Sequence, residues 1–223
     1  MTAQLRVSSS VNCSPDREDI TEILPNLFLG SQAGALNLDL LRRNGITHIL
    51  SVMVLDPTQT AQQKGNSFQR MNIPVQDWPD EELVTHFKSA NSFIDDARTT
   101  SGEGVLVHCY QGVSRSATVV AAYLMASHPP TPDYISAVKF LQSLRPIVQP
   151  NSGFLDQLAL YGRCGCNMDD NFSAVEAWRA VRHRRWEGYV DKARRERAER
   201  AGRQSGWSTT LRRVSRWAVC VFG

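Results

Sequence analysis

The stretch Val105-Leu-Val-His-Cys-Tyr-Gln-Gly-Val-Ser-Arg-Ser116 decides how this chain is read. Val105, Leu106 and Val107 form a short apolar run of the kind a buried strand uses, and an apolar helix is expected over 116–127. Between them lies a tight turn. A loop at a helix N-terminus aims several backbone N–H groups at one point, and the helix dipole adds positive potential there. Gly112 permits the positive φ that such a turn needs. Arg115 carries a planar fork suited to clamping two phosphate oxygens. Cys109 lies where that field is strongest. A thiol there is expected to ionise below its ordinary value of about 8.5, within roughly 3.5–7.5, and to act as a nucleophile without a separate base. Tyr110, Gln111, Gly112, Val113, Ser114 and Arg115 are the candidate phosphate-binding residues.

Two neighbours have alternative readings. His108 either orients the loop by hydrogen bonds or forms a dyad with Cys109. The first is favoured, because adjacent residues on a strand point to opposite faces. Ser116 either donates a hydrogen bond to the sulfur, helping the thiolate leave, or is a plain serine at a helix start.

Outward from the loop, apolar runs at Leu27–Leu29, His48–Val52 and Met71–Val75 are bounded by Gly, Pro, Asn or charge and read as further buried strands. Leu83, Phe87, Ala90, Ile94 and Ala97 recur at helical spacing, with Gly102 as a stop. Another helix is expected from Thr131 to Leu144, with Pro132 early in it and Pro146 beyond its end, and a further one from Asn151. Strands alternating with helices predict an α/β domain with a central, mostly parallel sheet flanked by helices. The expected organisation is a loose arm over 1–20, one domain over 21–166 and a basic, helical extension over 167–223.

The charge balance supports that division. Residues 1–175 hold 12 Lys/Arg against 17 Asp/Glu, and residues 176–223 hold 13 against 5. Five scattered cysteines do not make a disulfide framework, no signal peptide is read, and a cytoplasmic or nuclear location is the expectation. Cys164-Gly-Cys166 is too short and isolated for a metal site, so none is expected.

His108, Cys109, Gly112, Arg115 and Ser116 match H-C-x-x-G-x-x-R-S, the signature of cysteine-dependent phosphatases. The surrounding text resembles the dual-specificity subfamily. Ile23–Gly30 looks like its opening strand and turn, Thr47–Val52 like its next core strand, and Gln149–Phe154 like the loop and helix that close it. The likeness covers residues 20–165 and looks closest to the small atypical members, including the YVH-type phosphatase part, although the zinc domain usual there is absent from this sequence. The resemblance implies a protein phosphatase acting on phosphotyrosine and phosphoserine/phosphothreonine through a phosphocysteine, with a phosphoprotein substrate and no cofactor, metal or nucleic acid required.

The resemblance also calls for a general acid, and two positions compete. Trp78-Pro79-Asp80 copies the acid-loop triplet of the larger tyrosine-specific phosphatases, whereas Asp77 completes Ile-Pro-x-x-Asp, which resembles the acid position of the small enzymes. These positions precede Cys109 by 29 and 32 residues. Asp77 is favoured, and Asp80, Glu81 and Glu82 then read as first-turn acids of the next helix. Asn151 sits where the family places an Asn supporting the loops; a plain N-cap accounts for it equally well.

The variable loop positions Tyr110, Gln111, Val113 and Ser114 are neutral, which disfavours phosphoinositide or polyphosphate substrates. A phosphate-binding protein without turnover would lack the nucleophile, the arginine or the acid, and all three are present. In the tail, Leu211, Val214, Ala218 and Val221 beside Arg212, Arg213 and Arg216 could touch an anionic membrane, and Cys220 stands where a prenylation box would place it, although the terminal Gly223 departs from that pattern.

Overall fold

The computed structural model describes residues 19–55, 68–99, 103–127, 133–169 and 171, together with a subset of residues between Ser173 and Glu199. The expectations for residues 1–18 and for 201–223, including Cys220 and the apolar spacing around Leu211, lie outside the described residues. The chain divides into two compact units, Met1–Phe172 and Ser173–Gly223.

The first unit is built on a five-stranded sheet: β1 (Ile20–Leu24), β2 (Leu27–Gly30), β3 (Ile46–Val52), β4 (Gln69–Ile73) and β5 (Gly104–His108), in the order β1-β2-β5-β3-β4. Only the β1/β2 pair is antiparallel; β2/β5, β5/β3 and β3/β4 are parallel. The α/β class with a mostly parallel sheet is therefore as expected. β5 is the middle strand, buried along its whole length, and its side chains alternate between two cores. Val105 and Val107 face the larger, with Leu27, Leu29, Leu50 and Val52; Leu106 faces the smaller, with Phe28, Ile46 and Ile49. A sheet covered on both faces needs apolar residues at successive strand positions, which is why these strands read as runs rather than alternations.

Helices close both faces. α1 (Gln32–Leu36) and α2 (Leu38–Arg43) lie on the smaller core. α3 (Phe87–Thr99), α4 (Arg115–Ser127), α5 (Tyr134–Leu144) and α6 (Ser152–Arg163) enclose the larger one. α4 is buried on nearly every side, which explains an apolar run without a polar face.

Several boundaries differ from the sequence reading. The segment read as an opening strand and turn is a two-stranded hairpin: β1 turns at Pro25-Asn26, with Asn26 at φ 65°, before β2. Ile20, assigned to the arm, is its first strand residue. The short helices α1 and α2 were not read, since five or six residues carry too little periodicity; each starts on a side-chain cap, Ser31 and Asn37. β4 ends at Ile73, where Pro74 offers no N–H to the ladder. α5 begins at Tyr134 behind the N-cap Asp133, later than Thr131, and residues 128–132 lie outside the described set. α3 begins at Phe87 after a 3-10 turn, Val84–His86, so Asp80, Glu81 and Glu82 precede the helix and do not occupy its first turn.

In the second unit the described residues between Ser173 and Glu199 are helical. Arg182 lies 4.9 Å from the centre of the Trp178 ring, and Glu176 with Arg179, like Asp191 with Arg194, forms an ion pair one turn apart. Among the described residues no helix is long and apolar enough to cross a membrane.

Candidate active site

The end of the middle parallel strand is where such sheets place their ligands. β5 ends at His108, and the loop from Cys109 to Ser114 leads directly into α4. What shapes this loop is the destination of its carbonyls. His108 Nδ1 hydrogen-bonds the Cys109 carbonyl at 3.2 Å. The amide of Gln32 donates to Tyr110 O. The buried Arg145 guanidinium donates to Gln111 O at 3.0 Å and to Gly112 O at 3.1 Å. The amide of Gln149 donates to Val113 O, and the Thr118 amide and hydroxyl donate to Ser114 O. Six consecutive carbonyls are thus taken by donors outside the loop. In a planar trans peptide the C=O and the following N–H point in opposite directions, so the amides of residues 110–115 are turned to the loop's own centre. Gly112 makes this turn at φ +71°, and a Cβ there would come within 2.5 Å of Gly30 O, so no other residue fits.

Cys109 is 2% exposed and lies at the base of this ring of amides. Ser116 Oγ donates to its sulfur at 3.2 Å, and the Gly112 amide does so at 3.3 Å. Burial alone would push the thiol up. The Ser116 hydroxyl, the Ser116 and Gly112 amides and the Arg115 charge outweigh it, and the thiol is held below its ordinary value. His108 makes no hydrogen bond to the sulfur among the described contacts. Its Nε2 meets Ser51 Oγ at 2.7 Å, across the β3/β5 register in which Ser51 faces His108. With Nδ1–H donating to the Cys109 carbonyl, Nε2 accepts from the Ser51 hydroxyl. Burial lowers the His108 pKa from 6.5 to about 4, against the hydrogen bond to Cys109 and with the Arg70 charge lowering it further, so the ring is neutral at pH 7.

Arg115 opens α4, and its side chain is 11% exposed. One terminal nitrogen donates to Val75 O at 3.2 Å, but the buried Nε has no hydrogen-bond partner and lies 3.7 Å from Asp77 Oδ2. A buried guanidinium N–H left without a hydrogen bond costs free energy that an anion in the loop would recover.

Asp77 stands on the rim of the same loop. Its Oδ1 accepts from Ser114 Oγ at 2.7 Å and from Asn151 Nδ2 at 2.8 Å. Asn151 has both roles that the sequence left open: its Oδ1 caps α6 by accepting from Phe154 N at 3.0 Å while its amide nitrogen holds Asp77. Ser114, grouped with the phosphate-binding residues, spends its side chain sideways, receiving the Asn151 amide at 3.1 Å and donating to Asp77. Asp80 has no described hydrogen bond or ion pair to this cluster. Cys109, Arg115, Asp77, Ser116, Ser114 and Asn151 therefore come together, and Tyr110 stands at the loop, 63% exposed. Sequence reasoning missed Ser51 and Arg145. Nothing local marks either, since one acts through strand pairing and the other across 33 residues of chain. Among the described residues no group of three or more His, Cys, Asp or Glu could hold a metal ion.

Comparison with known proteins agrees with this geometry. Residues 27–164 match the family model described as dual specificity phosphatase, catalytic domain. The chain belongs to the dual-specificity phosphatase family. Among curated relatives, it is 38% identical over 154 residues to the dual specificity protein phosphatase MPK-4 of Drosophila melanogaster, covering 68% of this chain and 38% of that protein. It is 41% identical over 141 residues to dual specificity protein phosphatase 1B of Arabidopsis thaliana, covering 63% of this chain and 80% of the relative. Among solved structures, DUSP15 superposes with a TM-score of 0.59 at 35% identity, covering 65% of this chain and 88% of that one. The family match accordingly falls on the first compact unit and not on the second.

The Ser116 hydrogen bond to sulfur makes a specific prediction. Removing it in Ser116→Ala withdraws a stabiliser of the thiolate, so the thiol ionises at higher pH. A hydrogen bond to a charged group is worth about 1.5–3 kcal/mol, and the acid limb should move up by about one to two pH units. The pH profile of iodoacetamide alkylation at Cys109 reads this directly, and a profile identical to the parent protein would contradict it.

Proposed function

We propose that this chain hydrolyses phosphotyrosine and phosphoserine or phosphothreonine esters of proteins through a phosphocysteine intermediate. The observation that carries this reading is the Cys109 sulfur, hydrogen-bonded by Ser116 and Gly112 at the base of a loop whose carbonyls all turn outward. The phosphate dianion is held by the loop amides and by Arg115, whose Nε makes no hydrogen bond in the protein and can donate to it. Cys109 Sγ attacks phosphorus in line; the P–S bond forms as the bond to the leaving oxygen breaks, and Asp77 passes its proton to that oxygen. Water then attacks the phosphocysteine, Asp77 takes a proton from it, and the thiolate departs onto the Ser116 hydroxyl and the Gly112 amide. No step calls on a metal or a cofactor.

Gln111, Val113 and Ser114 are neutral, and Tyr110 and Trp78, next to the nucleophile and the acid in sequence, are 63% and 61% exposed. Neutral and aromatic residues there support a singly phosphorylated protein side chain over a multiply phosphorylated lipid. A low-pKa thiolate keeps its activity only while reduced, which supports a cytoplasmic or nuclear setting.

The acid assignment is tested by leaving-group dependence. Asp77→Asn should lower kcat/KM, which reports the first step, by about 10²-fold or more on phosphoserine peptides and alkyl phosphates, and much less on aryl phosphates with acidic phenols, because only poor leaving groups need the proton. Asp80→Asn should change either rate little. A larger loss in Asp80→Asn than in Asp77→Asn would transfer the role to the Trp78-Pro79-Asp80 triplet.

A further inference from the structure

We propose that Gly153 and Gln157, on the first two turns of α6, are positioning residues that seat the acid loop and thereby hold Asp77 over the phosphate site. This inference rests on Asp77 being the general acid. Two observations carry it, and neither involves Asp77 itself. The first is a close backbone approach. A Cβ placed on Gly153 would lie 1.7 Å from the Pro79 carbonyl oxygen, 2.5 Å from its carbon and 2.7 Å from its Cα. All three are backbone atoms two residues beyond Asp77, so no rotamer change relieves the clash; any side chain at 153 must lift the loop. The second is a set of hydrogen bonds one turn further along the helix. Gln157 is fully buried, and its Oε1 accepts from the amides of Leu83 at 2.7 Å and Val84 at 2.9 Å. Its Nε2 donates to Glu81 O at 2.8 Å and to Gly153 O at 3.2 Å.

These bonds solve a definite problem. The amides at the start of a helical segment have no intrahelical acceptor, and here the 3-10 turn at Val84–His86 opens without a side-chain cap of its own. Gln157 supplies the acceptor from another element. The backbone leaving the acid is therefore fixed at Pro79 by contact with Gly153, and at Glu81, Leu83 and Val84 by hydrogen bonds to Gln157. Asn151, at the cap of the same helix, holds the carboxylate. The acid is thus preset by α6, with the loop backbone and the carboxylate both pinned before substrate arrives, which suits a proton donor that must lie within hydrogen-bond reach of the leaving oxygen.

The experiment compares Gly153→Ala, Asp77→Asn and the double variant on an aryl phosphate with an acidic phenol and on a phosphoserine peptide, alongside iodoacetamide alkylation of Cys109. Gly153→Ala should lose about 10²-fold in kcat/KM on the peptide and only a few-fold on the aryl ester, with the alkylation profile unchanged. The double variant should be no slower than Asp77→Asn alone, because a residue that acts through Asp77 has nothing left to lose once the acid is gone. Gln157→Glu keeps the two accepting contacts and replaces the nitrogen that donates to Glu81 O and Gly153 O; it should show the same pattern with a smaller loss, and it serves if Gly153→Ala fails to fold. Equal losses on both substrates, or losses that multiply in the double variant, would overturn the seat. A flat leaving-group response in Asp77→Asn itself would instead overturn the acid assignment on which the seat depends.

Discussion

Cys109→Ser should reduce turnover by on the order of 10⁵-fold or more while leaving oxyanion binding nearly intact. The loss follows from the nucleophile. The loop amides, the Ser116 hydroxyl and Arg115 lower the pKa of a thiol into a useful range, but a serine hydroxyl starts so much higher that the same field leaves it protonated and unreactive. Binding survives because the loop's shape does not depend on the sulfur. Its carbonyls are held by Gln32, Arg145, Gln149, Thr118 and His108, and all of these remain. Replacing a negative sulfur with a neutral hydroxyl also removes repulsion toward a phosphate dianion. Titration with inorganic phosphate should therefore give an affinity within about tenfold of the parent protein, or tighter. Residual turnover above about 1% would sink the nucleophile assignment, because single catalytic groups of this kind leave far less.

Arg115→Lys should be the second most damaging change, costing about 10³-fold in kcat/KM although the charge is kept. Arg115 is anchored at one end, where a terminal nitrogen donates to Val75 O, which leaves the Nε, without a hydrogen bond in the protein, and the rest of the fork for phosphate oxygens. A lysine ammonium is a point charge with no fork: it satisfies either Val75 O or a phosphate oxygen and cannot span two oxygens in one plane. Part of the loss should appear as weaker phosphate binding and part in kcat, since charge spread over the equatorial oxygens is greatest in the transition state. The comparison with Cys109→Ser is diagnostic, because one variant loses turnover with binding kept and the other loses both.

The contrast between these residues and Gln157 or Arg145 shows how much could be read from the sequence. Cys109, Gly112, Arg115 and Ser116 lie within eight residues and form a strand–loop–helix unit, so local chemistry and a known signature both point at them. Asp77 was favoured over Asp80 because it completes Ile-Pro-x-x-Asp and because the next helix was expected to take up Asp80, and in the fold it is Asp77 that Ser114 and Asn151 hold at the loop. That helix starts later than its apolar spacing suggests, because a 3-10 turn over Val84–His86, whose first amides are taken by Gln157, precedes it. Arg145 is one basic residue after a helix, and nothing near it shows that its guanidinium reaches back to Gln111 and Gly112. Ser51 meets His108 only through the register of two parallel strands 57 residues apart. Of the hairpin β1/β2, the turn and the second strand were read, but not the first strand as a unit, because Ile20-Thr-Glu-Ile-Leu24 mixes polar and apolar residues and is buried only in part. What a single chain segment does alone was legible; what two distant segments do to each other required the fold.

The measurement that bears most directly on the central claim is capture of the covalent intermediate. A phosphate-labelled aryl ester is mixed with the protein, the reaction is quenched in acid within the first turnover, and the labelled peptide is mapped. The expected result is phosphate on Cys109, accumulating further in Ser116→Ala, where thiolate departure is slowed, and absent from Cys109→Ser. Turnover without a covalent phosphate, or label on any residue other than Cys109, would contradict the account.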